Sequence, residues 1–238
     1  MLILAIIVVV SGALIVGALW GLYSHLPDWL EGNLLAIAGG ALMISVVIEL
    51  IQPSLSDSGM WLTAAFTLLG ALVFAGVDYL IDEKLNAKGG AGLLAAITLD
   101  GVPENLALGV ALISGNVMQV AALAGSILLS NLPEAAGGAK EMRKGGNSHK
   151  KILMLWIGAA ILLSFAAILG KILLADVDEE ILSAINCFAA GAVIASLATE
   201  VFPTAFKRDN HWAGISAAIG LIMALGLSQL GGYCFILN

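Results

Sequence analysis

Six carboxylates interrupt otherwise apolar stretches of the sequence: Glu49, Asp78, Asp100, Glu104, Glu134 and Glu200. An ionised side chain at the centre of a bilayer costs about 2.5–3.5 kcal/mol even on a lenient insertion scale, so these groups must face one another, water or a cation. Asp100 and Glu104 are spaced i, i+4, as are Ser130 and Glu134, while Asn131 and Glu134 are i, i+3. Each set therefore shares one face of a helix and stacks oxygen ligands in one direction. Two such faces can enclose an ion. Both sets end in Pro-Glu, in Leu99-Asp100-Gly101-Val102-Pro103-Glu104 and in Leu129-Ser130-Asn131-Leu132-Pro133-Glu134. Pro103 cannot donate to the Leu99 carbonyl, nor Pro133 to that of Leu129, so each proline frees a backbone oxygen one turn before the Glu.

The elements that position these groups follow from hydropathy. The chain has 238 residues, 60% hydrophobic and 11% charged, with a mean hydropathy of +1.02. Its solvent is the bilayer, and nearly charge-free runs of about 20 residues recur along its whole length. Turn signals and charge clusters place eight spans at about 2–23, 33–52, 61–81, 91–113, 117–140, 152–171, 181–204 and 212–235. The expected fold is all-α and integral to the membrane, with residues 1–238 forming a single transmembrane domain. Lys84, Lys88, Lys140, Arg143, Lys144, Lys150, Lys151, Lys207 and Arg208 fall on one side, which the positive-inside rule makes cytoplasmic. Lys171 lies on the other, beside Asp176, Asp178, Glu179 and Glu180. Both termini are thus expected outside the cytoplasm of a multi-pass cell-membrane protein.

Met1 to Ser24 carries no charge and reads as a retained first span, so that all 238 residues are mature protein. Met142 to Lys151 reads as a flexible cytoplasmic connection. Cys187 and Cys234 lie in apolar runs and read as buried thiols. A net charge of −7 argues against nucleic acid as a partner. Membrane lipid and a cation substrate fit, and a homodimer is a further candidate partner. Gly39, Gly40, Gly109, Gly137, Gly138 and Gly191 should let helices approach closely.

Two internal similarities suggest an inverted-topology repeat, whose ion site would lie near the midplane. One relates the Pro-Glu motifs of spans four and five. The other relates Gly40-Ala41, Ser45 and Glu49 of span two to Gly191-Ala192, Ser196 and Glu200 of span seven.

Paired Pro-Glu motifs in the fourth and fifth of eight spans resemble the ZIP (Zrt/Irt-like) metal transporters, whose signature there is approximately H-N-x-P-E-G. Asp100, Gly101, Glu104 and Asn105 stand at the His, Asn, Glu and Gly positions of span four, and Ser130, Asn131, Glu134 and Ala135 at those of span five. Residues 188–203 resemble the family's seventh helix, which makes Glu200 the counterpart of a carboxylate that joins the site. The resemblance implies a divalent-metal site built by Asp100, Glu104, Ser130, Asn131, Glu134 and Glu200, with Glu49 and Asp78 along the ion path. It also implies metal movement towards the cytoplasm by alternating access.

No histidine stands at mid-span, since His25, His149 and His211 lie in loops or at span ends. An oxygen-only site is harder than an imidazole one, so beside the zinc that the resemblance implies it should accept manganese, iron(II) or magnesium more readily, with cadmium as a further candidate. No H-E-x-x-H helix or Ser/Lys pair points to an intramembrane enzyme, and no catalytic residue or organic cofactor is assigned. Two other readings stay open: a proton- or cation-coupled carrier or channel using the same carboxylates as a relay, and a non-transporting metal sensor.

Overall fold

The computed structural model describes residues 2–24, 27–85, 90–114, 117–174 and 177–236, with side chains for all of these except residues 2–4, 82–85, 90–97, 99–100, 114, 117–119 and 230–236. Among the described residues all regular structure is helical: α1 (Leu2–Tyr23), α2 (Asp28–Val46), a π-helical segment (Val47–Ile51), α3 (Gln52–Leu85), α4 (Gly90–Ser114), α5 (Val117–Lys144), α6 (His149–Leu174), α7 (Glu179–Ser196), a second π-helical segment (Leu197–Val201), α8 (Phe202–Arg208) and α9 (Ala213–Ile236). Five stretches are long and apolar enough to cross a bilayer: Ala5–Tyr23, Asp28–Ile81, Val120–Lys144, His149–Leu174 and Glu179–Arg208. Shorter apolar helices cover Gly101–Ile113 and Ala213–Gln229. Large apolar side chains such as Leu68, Leu72, Ile161, Ile172 and Ile222 face outward, as lipid contact favours. This is the architecture of a multi-pass membrane protein.

Asp28–Ile81 is two rods in one run. Gly59, at φ 77° and ψ 171°, breaks the helical backbone inside α3, in a region of φ/ψ space that only glycine enters without strain. A straight helix over that run would be about 80 Å long, far beyond the hydrocarbon thickness.

Four helix pairs carry most of the packing: α3 with α7, α2 with α9, α1 with α5, and α4 with α6. Glycines make the close approaches, and they do so reciprocally. A Cβ on Gly40 would collide with the Ala217 carbonyl, and one on Gly220 with that of Ile37. In the companion pair, a Cβ on Gly191 would strike the Thr67 carbonyl and one on Gly70 that of Phe188. Gly109 against Ala167 and Gly170 against Leu106 repeat the pattern between α4 and α6. Such contacts replace the hydrophobic effect, which gives no drive between helices already in lipid. Between the pairs lies an apolar core that includes Leu42, Leu50, Leu108, Leu123, Ile127, Val193 and Leu197.

The segment from Met142 to Lys151, expected to be a flexible connection, is instead a closed turn. Gly146 takes φ 84°, its N–H reaches the Arg143 carbonyl at 3.0 Å, and the Asn147 N–H reaches that of Met142 at 3.2 Å. This is the Schellman pattern that ends a helix on a left-handed glycine. The Asn147 amide doubles the bond to Met142 at 3.0 Å, and Ser148 accepts from the Lys151 N–H at 3.3 Å to cap α6. His25, Asp176 and the Gly115-Asn116 turn fall outside the described residues, as do the side chains of Lys84 and Cys234.

Candidate functional site

Glu49 and Glu200 both sit in π-helical segments. The Gln52 N–H bonds back to Val47 and the Phe202 N–H to Leu197, five residues rather than four. The next residue in each case is a proline, Pro53 or Pro203, which has no N–H to continue the ladder. Sequence spacing had aligned Gly40 with Gly191 and Glu49 with Glu200, but it did not foresee the π turns. The signal was the proline three or four residues beyond each Glu.

On α4, Glu104 is 5% exposed and Asn105 fully buried. The Asn105 amide donates to the Gly101 carbonyl at 2.9 Å, while its Oδ1 is buried without a hydrogen-bond partner. Asn105 stands at the Gly position of the family signature, which gives it no ligand role. The Asp100 backbone lies in α4, whereas its side chain falls outside the described residues.

On α5, Ser126, Ser130 and Glu134 follow one another at i, i+4 and i+8 and share a face. Ser130 Oγ is buried and makes no hydrogen bond, so the alternative in which it bonds back onto its own helix is not what the structure holds. Ser126, overlooked in the sequence, instead donates to the Ala122 carbonyl at 2.8 Å and lies 3.2 Å from Ser45 Oγ of α2. The buried Asn131 spends its amide on the Val10 carbonyl of α1 at 3.0 Å, tying α5 to that helix. Ser196 Oγ on α7 is also buried without a hydrogen bond.

Glu134 is the middle member of the acidic set: it lies within electrostatic range of Glu104 and of Glu200. Among the described residues no Lys, Arg or His forms an ion pair with Glu104 or Glu134. Nor do any three His, Cys, Asp or Glu side chains among them close into a metal-binding cluster.

Glu49 lines a cavity of about 350 Å³ with Pro53, Ser54, Asp57, Glu179 and Asn186. Val110 and Ala111 of α4 form part of the same wall, about 9–10 Å along the helix from Glu104. Buried oxygens of Glu49 and Asn186 lack hydrogen-bond partners. Asp78 is half-buried on α3. His211 is exposed next to Asn210, and His149 stacks edge-on with Tyr23 at 5.4 Å. No model of a known protein family matches the chain, and no curated protein matches it either.

Proposed function

We propose that the chain is a ZIP-like carrier of divalent metal ions. In this reading eight spans with inverted-repeat symmetry carry both termini outside the cytoplasm of a cell membrane, and metal moves inward by alternating access. The observation that carries it is that Glu134 on α5 lies within electrostatic range of Glu104 on α4 and of Glu200 in the π turn after α7, with no basic side chain among the described residues ion-paired to the first two. Unpaired buried oxygens on the same helices, Asn105 Oδ1, Ser130 Oγ and Ser196 Oγ, favour a bound guest, because buried polar atoms otherwise find partners. The reciprocal glycine contacts support the inverted repeat, since α2 with α9 and α7 with α3 are the pairs it would exchange.

The ligand set is hard: carboxylate, amide and hydroxyl oxygens. Manganese and iron(II) should therefore compete well with zinc. The cavity beside Glu49, lined by the carboxylates of Asp57 and Glu179, would give an acidic approach for the cation. Glu104→Ala and Glu134→Ala, reconstituted in vesicles, should each abolish saturable manganese or zinc uptake while staying monodisperse. Undiminished uptake by both would refute the site.

The relay reading draws on one observation, that no three ligating side chains close into a cage among the described residues. Calorimetric titration with manganese separates the two, because a proton relay binds none.

A further inference from the structure

Away from the acidic cavity, the ends of α1, α2, α5 and α8 are joined by charges. Glu31, with no exposed surface, is ion-paired to Arg208, and its carboxylate also lies 3.7 Å from Lys140 Nζ. Lys140 pairs in turn with Asp28, and Arg208 Nη2 lies 3.5 Å from Glu141. Arg143 donates to the Leu22 carbonyl at 2.7 Å, and Asn33 donates to Asp209 at 2.7 Å.

Room for this network comes from glycine. A Cβ on Gly137 would collide with the Glu31 carboxylate and sit 3.0 Å from Arg208 Nη2. One on Gly32 would sit 2.8 Å from the Arg208 Cβ. Replacing a buried ion pair with uncharged residues is often neutral for stability, so stability alone gives little reason to build one. The same pair is well suited to a switch, because it is made in one arrangement of the helices and both charges regain water in the other.

We propose that the Glu31–Arg208 pair, braced by Lys140, is a charge latch that holds the basic end of the helix bundle shut and parts when that end opens. One end of the molecule is thus cross-braced while the other holds a cavity between α3, α4 and α7. The inference rests on the alternating-access reading above.

The test is labelling of an Ala205→Cys reporter. Ala205 is fully buried and one turn before Arg208 on α8. Full-length protein carrying Cys187→Ala and Cys234→Ala is reconstituted, and a membrane-impermeant maleimide is applied from the basic side. Glu31→Gln with Arg208→Gln removes both charges and strands no buried one, since Lys140 keeps Asp28 and Glu141 is exposed, so the fold should tolerate it. Gly137→Ala keeps every charge and displaces the carboxylate by volume. An open state populated at about 0.1–10% leaves room for labelling to rise about tenfold or more in either variant.

Unchanged labelling in a folded variant of either kind overturns the latch. So does an equal rise at a Ser183→Cys reporter in the acidic cavity, which would signify general loosening. Should the double variant fail to fold, Gly137→Ala decides alone. Manganese uptake by the unaltered protein is measured in parallel. Latch-dependent labelling without uptake refutes the carrier and keeps the latch, and uptake with unchanged labelling does the reverse.

Discussion

Glu49 and Glu200 occupy π-helical turns in opposite halves of the chain, nine residues after Gly40 and Gly191 respectively. The two halves do not match residue for residue beyond that point. Pro53 follows Glu49 by four positions and Pro203 follows Glu200 by three. Short π turns inside α-helices widen the ladder by one residue and occur frequently at functional sites. Here each turns a carboxylate while the flanking helix continues.

Pro203→Ala should therefore uncouple stability from transport. With an N–H restored at position 203, the ladder can revert to regular α-helix, gaining up to about 3 kcal/mol. That reversion rotates Glu200 relative to Glu134. The expected outcome is an unchanged or higher melting temperature with uptake reduced about tenfold or more. Full uptake with raised stability would show that the π turn does not aim Glu200.

Asp100→His should shift preference from manganese towards zinc, since an imidazole softens an all-oxygen site. The ratio of zinc to manganese uptake under competition measures it. An unchanged ratio removes Asp100 from the ligand set.

Gly40→Val should lower thermal stability in detergent by at least about 1–3 kcal/mol, the usual cost of overpacking, because a Cβ there meets the Ala217 backbone with no flexible side chain to yield. Gly76→Ala provides the contrast. Nothing lies within 4 Å of a Cβ at Gly76, so the variant should be neutral or stabilised by about 0.4–1 kcal/mol through loss of chain entropy. Differential scanning fluorimetry of both would contradict the packing if the two behaved alike.

The fold was legible where hydropathy and charge act alone. Helix ends at Tyr23, Ser114 and Val117 fall within a residue of the expected spans, because lipid leaves the backbone no alternative to helix. What escaped was set by hydrogen bonds rather than by polarity. Gly59 reads as one more glycine until its positive φ is known, and the Schellman turn at Gly146 looked like a polar linker. At the site, the Pro-Glu spacing set Glu104 and Glu134 on consecutive helices, α4 and α5, which the structure places within electrostatic range of each other. It could not say that Asn131 would bond to α1, nor that Asn105 would leave a buried oxygen unpaired beside Glu104.

Ser130 and Asn131 are adjacent on α5 and should respond to truncation in opposite ways. Ser130 Oγ is buried without a hydrogen bond, a desolvation cost of about 1–3 kcal/mol that Ser130→Ala removes. The alanine variant should melt at the same temperature or higher, yet show a raised apparent KM for manganese if the hydroxyl is a ligand. Asn131→Ala instead loses the 3.0 Å bond to the Val10 carbonyl that ties α5 to α1, so its melting temperature should fall. Thermal melts and uptake curves on both variants check the pair. A destabilised Ser130→Ala with unchanged KM would make that hydroxyl structural and return the site to its carboxylates.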